Sequence, residues 1–247
     1  VADWPRLLAI AFGFMTRLPV PHVDVRDGDL TRASAAFPLV GLAVAAVAVA
    51  VRHVTGLVWG PVTGTVVAVL SATAVTGAFH EDGLADTADG LSGGWEPEER
   101  VRIMRDSRLG TYGTIALIAL FAVRLALLAG LSIATFAVAM VCGHVLGRAA
   151  GPVLVSRLPA LADSSSAGIA GRLGRGATAV VVAATVIPVV VAAGVLAPAL
   201  LVVAGGVVAA CAVLYRRRLG GVTGDAIGAT TVLVEVAVIA AVAGLAR

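Results

Sequence analysis

At residues 80 to 90 the chain reads His-Glu-Asp-Gly-Leu-Ala-Asp-Thr-Ala-Asp-Gly. Asp82, Asp86 and Asp89 are spaced four and three apart, so on a helix turning about 100° per residue they share one face within an arc of roughly 60°. Carboxylates bunched in this way call for a cation. Hard oxygen ligands suit Mg²⁺, or Mn²⁺, and a Mg²⁺ ion held by a few carboxylates keeps coordination positions open for substrate phosphates. The three aspartates are therefore candidate metal ligands and catalytic residues. His80 is a candidate metal ligand or acid/base group, against a structural role at the interface. Glu81 falls off the aspartate face. Gly83 and Gly90 disfavour a plain surface helix and would let a ligand approach the backbone closely, which also weakens the argument for a shared helical face.

Phosphate-binding chemistry is suggested downstream. The run from Trp95 to Gly113 begins with acids and ends with bases, the polarity of a short helix starting after Pro97. Within it Arg102, Arg105 and Arg108 recur every three residues, a row that could face phosphate or contact lipid headgroups. His144 and Arg148 share a helical face near the end of an apolar run and are further phosphate candidates. The segment Gly220 to Ala229 follows three consecutive arginines and opens an apolar helix with Asp225 at the expected N-cap. Its glycines would expose backbone amides as an anion site, to which Thr223 adds a hydroxyl. Arg124 and Glu235 lie about 16 Å and 14 Å into their apolar runs at ~1.5 Å per residue, and their matching depths predict that they pair.

The elements that must position these groups are membrane helices. The chain has 247 residues, 59% hydrophobic and 13% charged, which fits a polytopic membrane protein and not a soluble domain of this size. Apolar runs at about 33–51, 58–79, 113–131, 132–150, 177–195, 196–214 and 226–246 each approach the ~20 residues that a bilayer requires. The expectation is an all-α fold of about seven crossings plus short interfacial helices, forming one membrane-embedded domain over residues 1–247. Leu7 to Met15 is too short to span and reads as interfacial or re-entrant. Gly130, Gly194 and Pro198 favour hairpin turns where runs adjoin.

Seven crossings place the loops at 17–32, 80–112, 148–176 and 215–225 on one side. With Arg6 these hold 15 of the 18 basic residues, all of which are arginine. By the positive-inside rule that side is cytoplasmic. It also carries 14 of the 15 acids, so the polar chemistry gathers at one surface. The arginines read as topology and phosphate chemistry, with no nucleic-acid partner expected. Cys142 and Cys211 sit in apolar runs without metal-ligand spacing and read as small core residues. The start at Val1-Ala2-Asp3-Trp4-Pro5 lacks the basic region of a cleaved secretory signal.

Taken together, the motifs resemble the adenosylcobinamide-GDP ribazoletransferase, or cobalamin synthase, family. The resemblance covers the whole chain: Phe14-Met15-Thr16-Arg17-Leu18-Pro19-Val20-Pro21, Phe37-Pro38-Leu39-Val40-Gly41, and Phe79-His80 through Gly90. It continues through Arg105-Asp106-Ser107-Arg108 with Gly110 to Gly113, then Gly220-Gly221, Thr223-Gly224-Asp225, Gly228-Ala229 and Glu235. It implies transfer of adenosylcobinamide phosphate from adenosylcobinamide-GDP to α-ribazole or α-ribazole 5′-phosphate, with release of GMP. It implies Mg²⁺ (or Mn²⁺) at Asp82, Asp86 and Asp89, and His80 or an aspartate as proton acceptor. The candidate substrate-binding set is Arg102, Arg105, Asp106, Ser107, Arg108, His144, Arg148, Thr223, Gly224, Asp225 and Glu235. Expected partners are the two substrates and the lipid bilayer, together with a homo-oligomer or contact with other cobalamin-assembly enzymes. The expected location is the bacterial cytoplasmic (inner) membrane, with the active site facing the cytoplasm. Two alternatives stand beside this. Asp82-Gly83 and the later aspartates are similar to CDP-alcohol phosphotransferases, although the Ala-Arg pair and the distal aspartates of that pattern are missing. A secondary transporter would explain seven crossings and the deep Arg124 and Glu235, yet transporters place key polar groups at the midplane.

Overall fold

The computed structural model describes residues 3–161 and 173–245. It is 83% helical and has no strands among the described residues. In chain order the helices are α1 (Trp4–Met15), α2 (Asp29–Ala33), α3 (Phe37–Thr76), α4 (Phe79–Gly93), α5 (Pro97–Met104) and α6 (Thr111–Leu128). They continue as α7 (Ile133–Arg157), α8 (Arg175–Ala193), α9 (Ala197–Arg218) and α10 (Gly224–Leu245). Among the described residues five helical stretches are long and apolar enough to cross a membrane. Two of these are interrupted. The stretch Asp29–Thr76 contains α3, which breaks at Gly60, where φ is 83° and Pro61 follows. A left-handed glycine before proline cannot continue a helix. Across the break Arg52 Nε donates to Thr65 Oγ1 at 2.8 Å, so the two arms of α3 fold back on one another. The stretch Arg175–Arg218 breaks at Gly194, with φ 54°, into a short 3₁₀ turn. The break at Gly194 falls where a turn is expected, whereas the break at Gly60 lies just inside the apolar run expected over 58–79.

α10 is the central strut, in contact with α7, α4, α9 and α6. Small residues bring the backbones together, the usual device where lipid supplies no hydrophobic drive. A Cβ on Gly147 of α7 would stand 2.8 Å from the Thr231 carbonyl oxygen of α10. One on Gly41 of α3 would stand 2.3 Å from the His144 carbonyl oxygen of α7. The apolar core runs through α1, α3, α7 and α10 and includes Phe37, Phe136, Val145 and Val238, all essentially inaccessible. α1 buries Leu7, Ile10, Ala11 and Met15 against this core, so the short N-terminal helix is a packed element. α8 and α9 are peripheral: only 17% of their apolar window is buried, against 72% for α10.

Candidate active site

α3 ends in consecutive left-handed residues, Gly77 (φ 64°) and Ala78 (φ 59°), which turn the chain into α4. α4 is a helix throughout, Gly83 and Gly90 included. These glycines serve helix contacts and not ligand approach. A Cβ on Gly83 would lie 2.7 Å from the Asp225 carbonyl oxygen of α10, and one on Gly90 would lie 2.8 Å from the Arg100 carbonyl oxygen of α5. The closeness at Gly83 brings the first turn of α10 to the aspartate face. Asp82 is exposed and Asp86 half-buried. Burial, then the charges of Asp82, Asp225 and Asp89, push the Asp86 carboxyl up to about 7. Like charges crowd at this crossing, and a cation would relieve them.

Asp89 is engaged differently. Its two carboxylate oxygens accept from the Gly110 and Gly113 amides at 2.8 and 2.9 Å, which anchors the start of α6. The expected three-aspartate cage is therefore not assembled. Among the described residues no group of three or more His, Cys, Asp or Glu side chains stands ready to hold a metal ion. The donor set left for a cation is Asp82 and Asp86, with Asp225 beside them. That set still fits Mg²⁺, which takes one or two protein carboxylates and completes its shell with water and phosphate oxygens.

Behind α4, and facing away from Asp82 and Asp86, lies a buried charge network. Arg124 of α6 donates through Nη1 to Glu81 Oε1 at 2.8 Å and through Nη2 to Glu235 Oε2 of α10. Glu235 Oε1 also meets His144 Nδ1 and Arg148 Nη1, each at 2.8 Å. The predicted pairing of Arg124 with Glu235 is present, and Glu81, which lies off the aspartate face as expected, is a third member not anticipated from the sequence. His144 and Arg148 do share a helical face, but it is turned inward to Glu235. A small polar cavity of about 10 Å³ lies among these side chains. His80 Nε2, Glu81 Oε2 and Arg148 Nε are buried without a hydrogen-bond partner among the described residues. Burial, then the Arg148 charge, depress His80 to about 3, so it is neutral at physiological pH.

The arginine row does not form a helical face. α5 ends at Met104, leaving Arg105 and Arg108 beyond it. Arg102 is exposed and lies 3.9 Å from Glu99. Arg108 donates to Asp106 at 2.6 to 3.1 Å, which holds the exposed Asp106 carboxyl down at about 2. Ser107 sits in this exposed turn. Arg105 lies within electrostatic reach of Asp225. Arg100, not singled out by its sequence context, is buried and donates to the Gly94 and Arg218 carbonyls at 3.0 and 2.9 Å, tying α5 to the end of α9.

The glycine segment before α10 is occupied by the fold. Val222 N donates to the Pro159 carbonyl at 2.9 Å and Leu161 N to the Val222 carbonyl at 3.0 Å, which joins the ends of α7 and α9. The N-cap of α10 is Thr223 and not Asp225: its buried hydroxyl accepts from Ala226 N at 3.1 Å. Asp225 stands in the first turn, where the helix dipole favours a carboxylate. Gly224 opens the helix beside it.

No solved structure matches this chain. Two relatives named adenosylcobinamide-GDP ribazoletransferase are similar over nearly their whole lengths. The one from Shewanella pealeana is 38% identical, covering 90% of this chain and 89% of the relative. The one from Sinorhizobium medicae is 41% identical, covering 96% and 95%. Residues 7–243 match the family profile described as cobalamin-5-phosphate synthase. On that match and those relatives, the chain belongs to the cobalamin-5-phosphate synthase family, a family of membrane-embedded transferases.

Proposed function

We propose that this protein joins adenosylcobinamide phosphate, taken from adenosylcobinamide-GDP, to α-ribazole or α-ribazole 5′-phosphate, releasing GMP. The observation that carries the reading is the full-length similarity to relatives bearing that name. The crowded carboxylates at the α4–α10 crossing support it, because a diphosphate substrate would bring the remaining ligands of a shared Mg²⁺. When bound, Mg²⁺ would offset charge developing on the diphosphate. Asp82 and Asp86, with Asp225 adjacent, would hold it. The ribose 3′-hydroxyl attacks the phosphorus that carries cobinamide, the bond from that phosphorus to the GMP oxygen breaks, and GMP departs. The hydroxyl proton passes to an aspartate of the cluster. His80 is poorly suited to receive it, being enclosed and depressed to about 3. Arg105, within electrostatic reach of Asp225, and the exposed Arg102 and Arg108 of the same segment would steady guanine-nucleotide phosphates.

In this reading the two interrupted stretches each cross twice, which makes seven crossings and places the arginine-rich loops and the aspartates on the cytoplasmic side of the inner membrane. The test is direct. Purified protein is incubated with adenosylcobinamide-GDP, either acceptor and Mg²⁺, with and without chelator, and cobalamin and GMP are measured. Product that disappears with chelator is expected; no product from either acceptor would overturn the reading. Asp82→Asn and Asp86→Asn are each expected to reduce turnover at least ~100-fold while the protein still inserts, a loss in the range seen when groups that stabilise transition-state charge are removed.

A further inference from the structure

α8 and α9 meet only loosely, and between them and α7 the bundle opens a groove of about 800 Å³. That volume lies in the range of sites that enclose a small amphiphile. Its walls are apolar along their length, with Leu146, Val153, Val182 and Val208 among the lining side chains. Among the described residues its charged lining side chains are Arg157, Arg216 and Arg217, with no carboxylate. All three arginines stand at one end, at the last turns of α7 and α9. Arg216 Nη2 donates to the Arg157 carbonyl at 3.1 Å, which holds one guanidinium across the mouth. Among the described residues none of the three has a carboxylate partner. From Leu146 to Arg157 the groove follows α7 for about 16 Å at ~1.5 Å per residue, roughly half the ~30 Å hydrocarbon core. The charged end adjoins the segment that the Val222 and Pro159 hydrogen bond ties to the start of α10, so it lies on the same side as the aspartates.

We propose that this groove is a binding site for an anionic glycerophospholipid of the adjoining leaflet, with the headgroup phosphate among Arg157, Arg216 and Arg217 and an acyl chain between α8 and α9. The occupant follows from charge complementarity. A zwitterionic lipid would bring a cation to a mouth that offers three more, and a second copy of this chain would need an acidic ridge to match them. Basic pockets between membrane helices select anionic headgroups on these grounds.

The test is native mass spectrometry of the whole protein from nanodiscs containing equal phosphatidylglycerol and phosphatidylcholine, with titration of phosphatidylglycerol into delipidated protein. Preferential retention of one phosphatidylglycerol is expected. Arg157→Gln, Arg216→Gln and Arg217→Gln should each weaken its binding about five-fold, the equivalent of ~1 kcal/mol per basic residue. Val208→Trp should block the groove and abolish retention with all three arginines intact, whereas Arg218→Gln, outside the groove, should leave it unchanged. Equal retention of the two lipids, or unaltered preference in the triple arginine variant, would overturn the proposal, as would a dimer that forms through this face and excludes lipid. None of these readouts depends on turnover, so the lipid site and the proposed reaction stand or fall separately.

Discussion

Asp86 and Asp89 lie one helical turn apart on α4 and have different surroundings. The Asp86 carboxyl is raised from its ordinary value of 3.8 to about 7, so ionising it opposes folding. The penalty is absent below the ordinary value, grows as pH rises between the two values, and is complete above about 7. In divalent-free buffer Asp86→Asn should therefore unfold at a higher temperature than the parent at pH 8 and at the same temperature near pH 4, as followed by thermal scans in detergent. Added Mg²⁺ should stabilise the parent and not the variant. Asp89 instead accepts two backbone amides. Asp89→Ala leaves those buried donors unmet and should cost about 1–3 kcal/mol, while Asp89→Asn, which keeps one acceptor, should cost less. Denaturant titration separates the two. The spacing of the aspartates placed them on one helix, but no local signal marks Asp89 as the anchor of α6. Its partners lie 21 and 24 residues downstream, and the contact exists only once α4 and α6 have come together.

At the scale of elements, the small residues have two different roles. Gly83→Ala would press a Cβ to 2.7 Å from the Asp225 backbone, and neither helix can yield without displacing the carboxylates they present. The expected cost is about 1–3 kcal/mol, as for other overpacked contacts. It should be accompanied by weaker Mg²⁺ stabilisation in the same thermal assay. A Cβ added to Gly206 of α9 would meet nothing within 4 Å, so Gly206→Ala should stabilise by about 0.5–1 kcal/mol through helix propensity alone. The positions of the helices were largely legible in the sequence, because length and apolarity are local properties: the break at Gly194 falls at the junction of two predicted runs, whereas the break at Gly60 lies just inside the run expected from residue 58. The roles of the glycines were not. A glycine that admits another helix and one that admits a ligand look alike until the neighbour is known, and the same ambiguity made the Gly220–Gly221 segment read as a phosphate loop when Val222 is bonded to Pro159.

At the scale of the whole molecule, one carboxylate joins three helices. Glu235 is shared by Arg124, His144 and Arg148, and its partner Arg124 extends the network to Glu81 on the far side of the aspartate helix. Depth along the apolar runs made the Arg124 and Glu235 pair legible. The inclusion of His144 and Arg148 was not, since their shared face could have pointed outward to phosphate as readily as inward. Glu235→Ala would leave the buried Arg148 guanidinium without a counter-charge and Arg124 with Glu81 alone, and should destabilise the bundle by about 3–5 kcal/mol, measured as the fraction surviving detergent extraction and heating. The network has a consequence for biogenesis. The carboxylate that neutralises Arg148 and completes the neutralisation of Arg124 resides on α10, which follows every other described helix in chain order. A ribosome that has delivered α6 and α7 has committed their cations to the bilayer before the answering anion exists. Chains cut short before residue 224 should thus be held at the insertion machinery or degraded, and pulse-chase labelling of such fragments would show whether release into the membrane waits for the last helix.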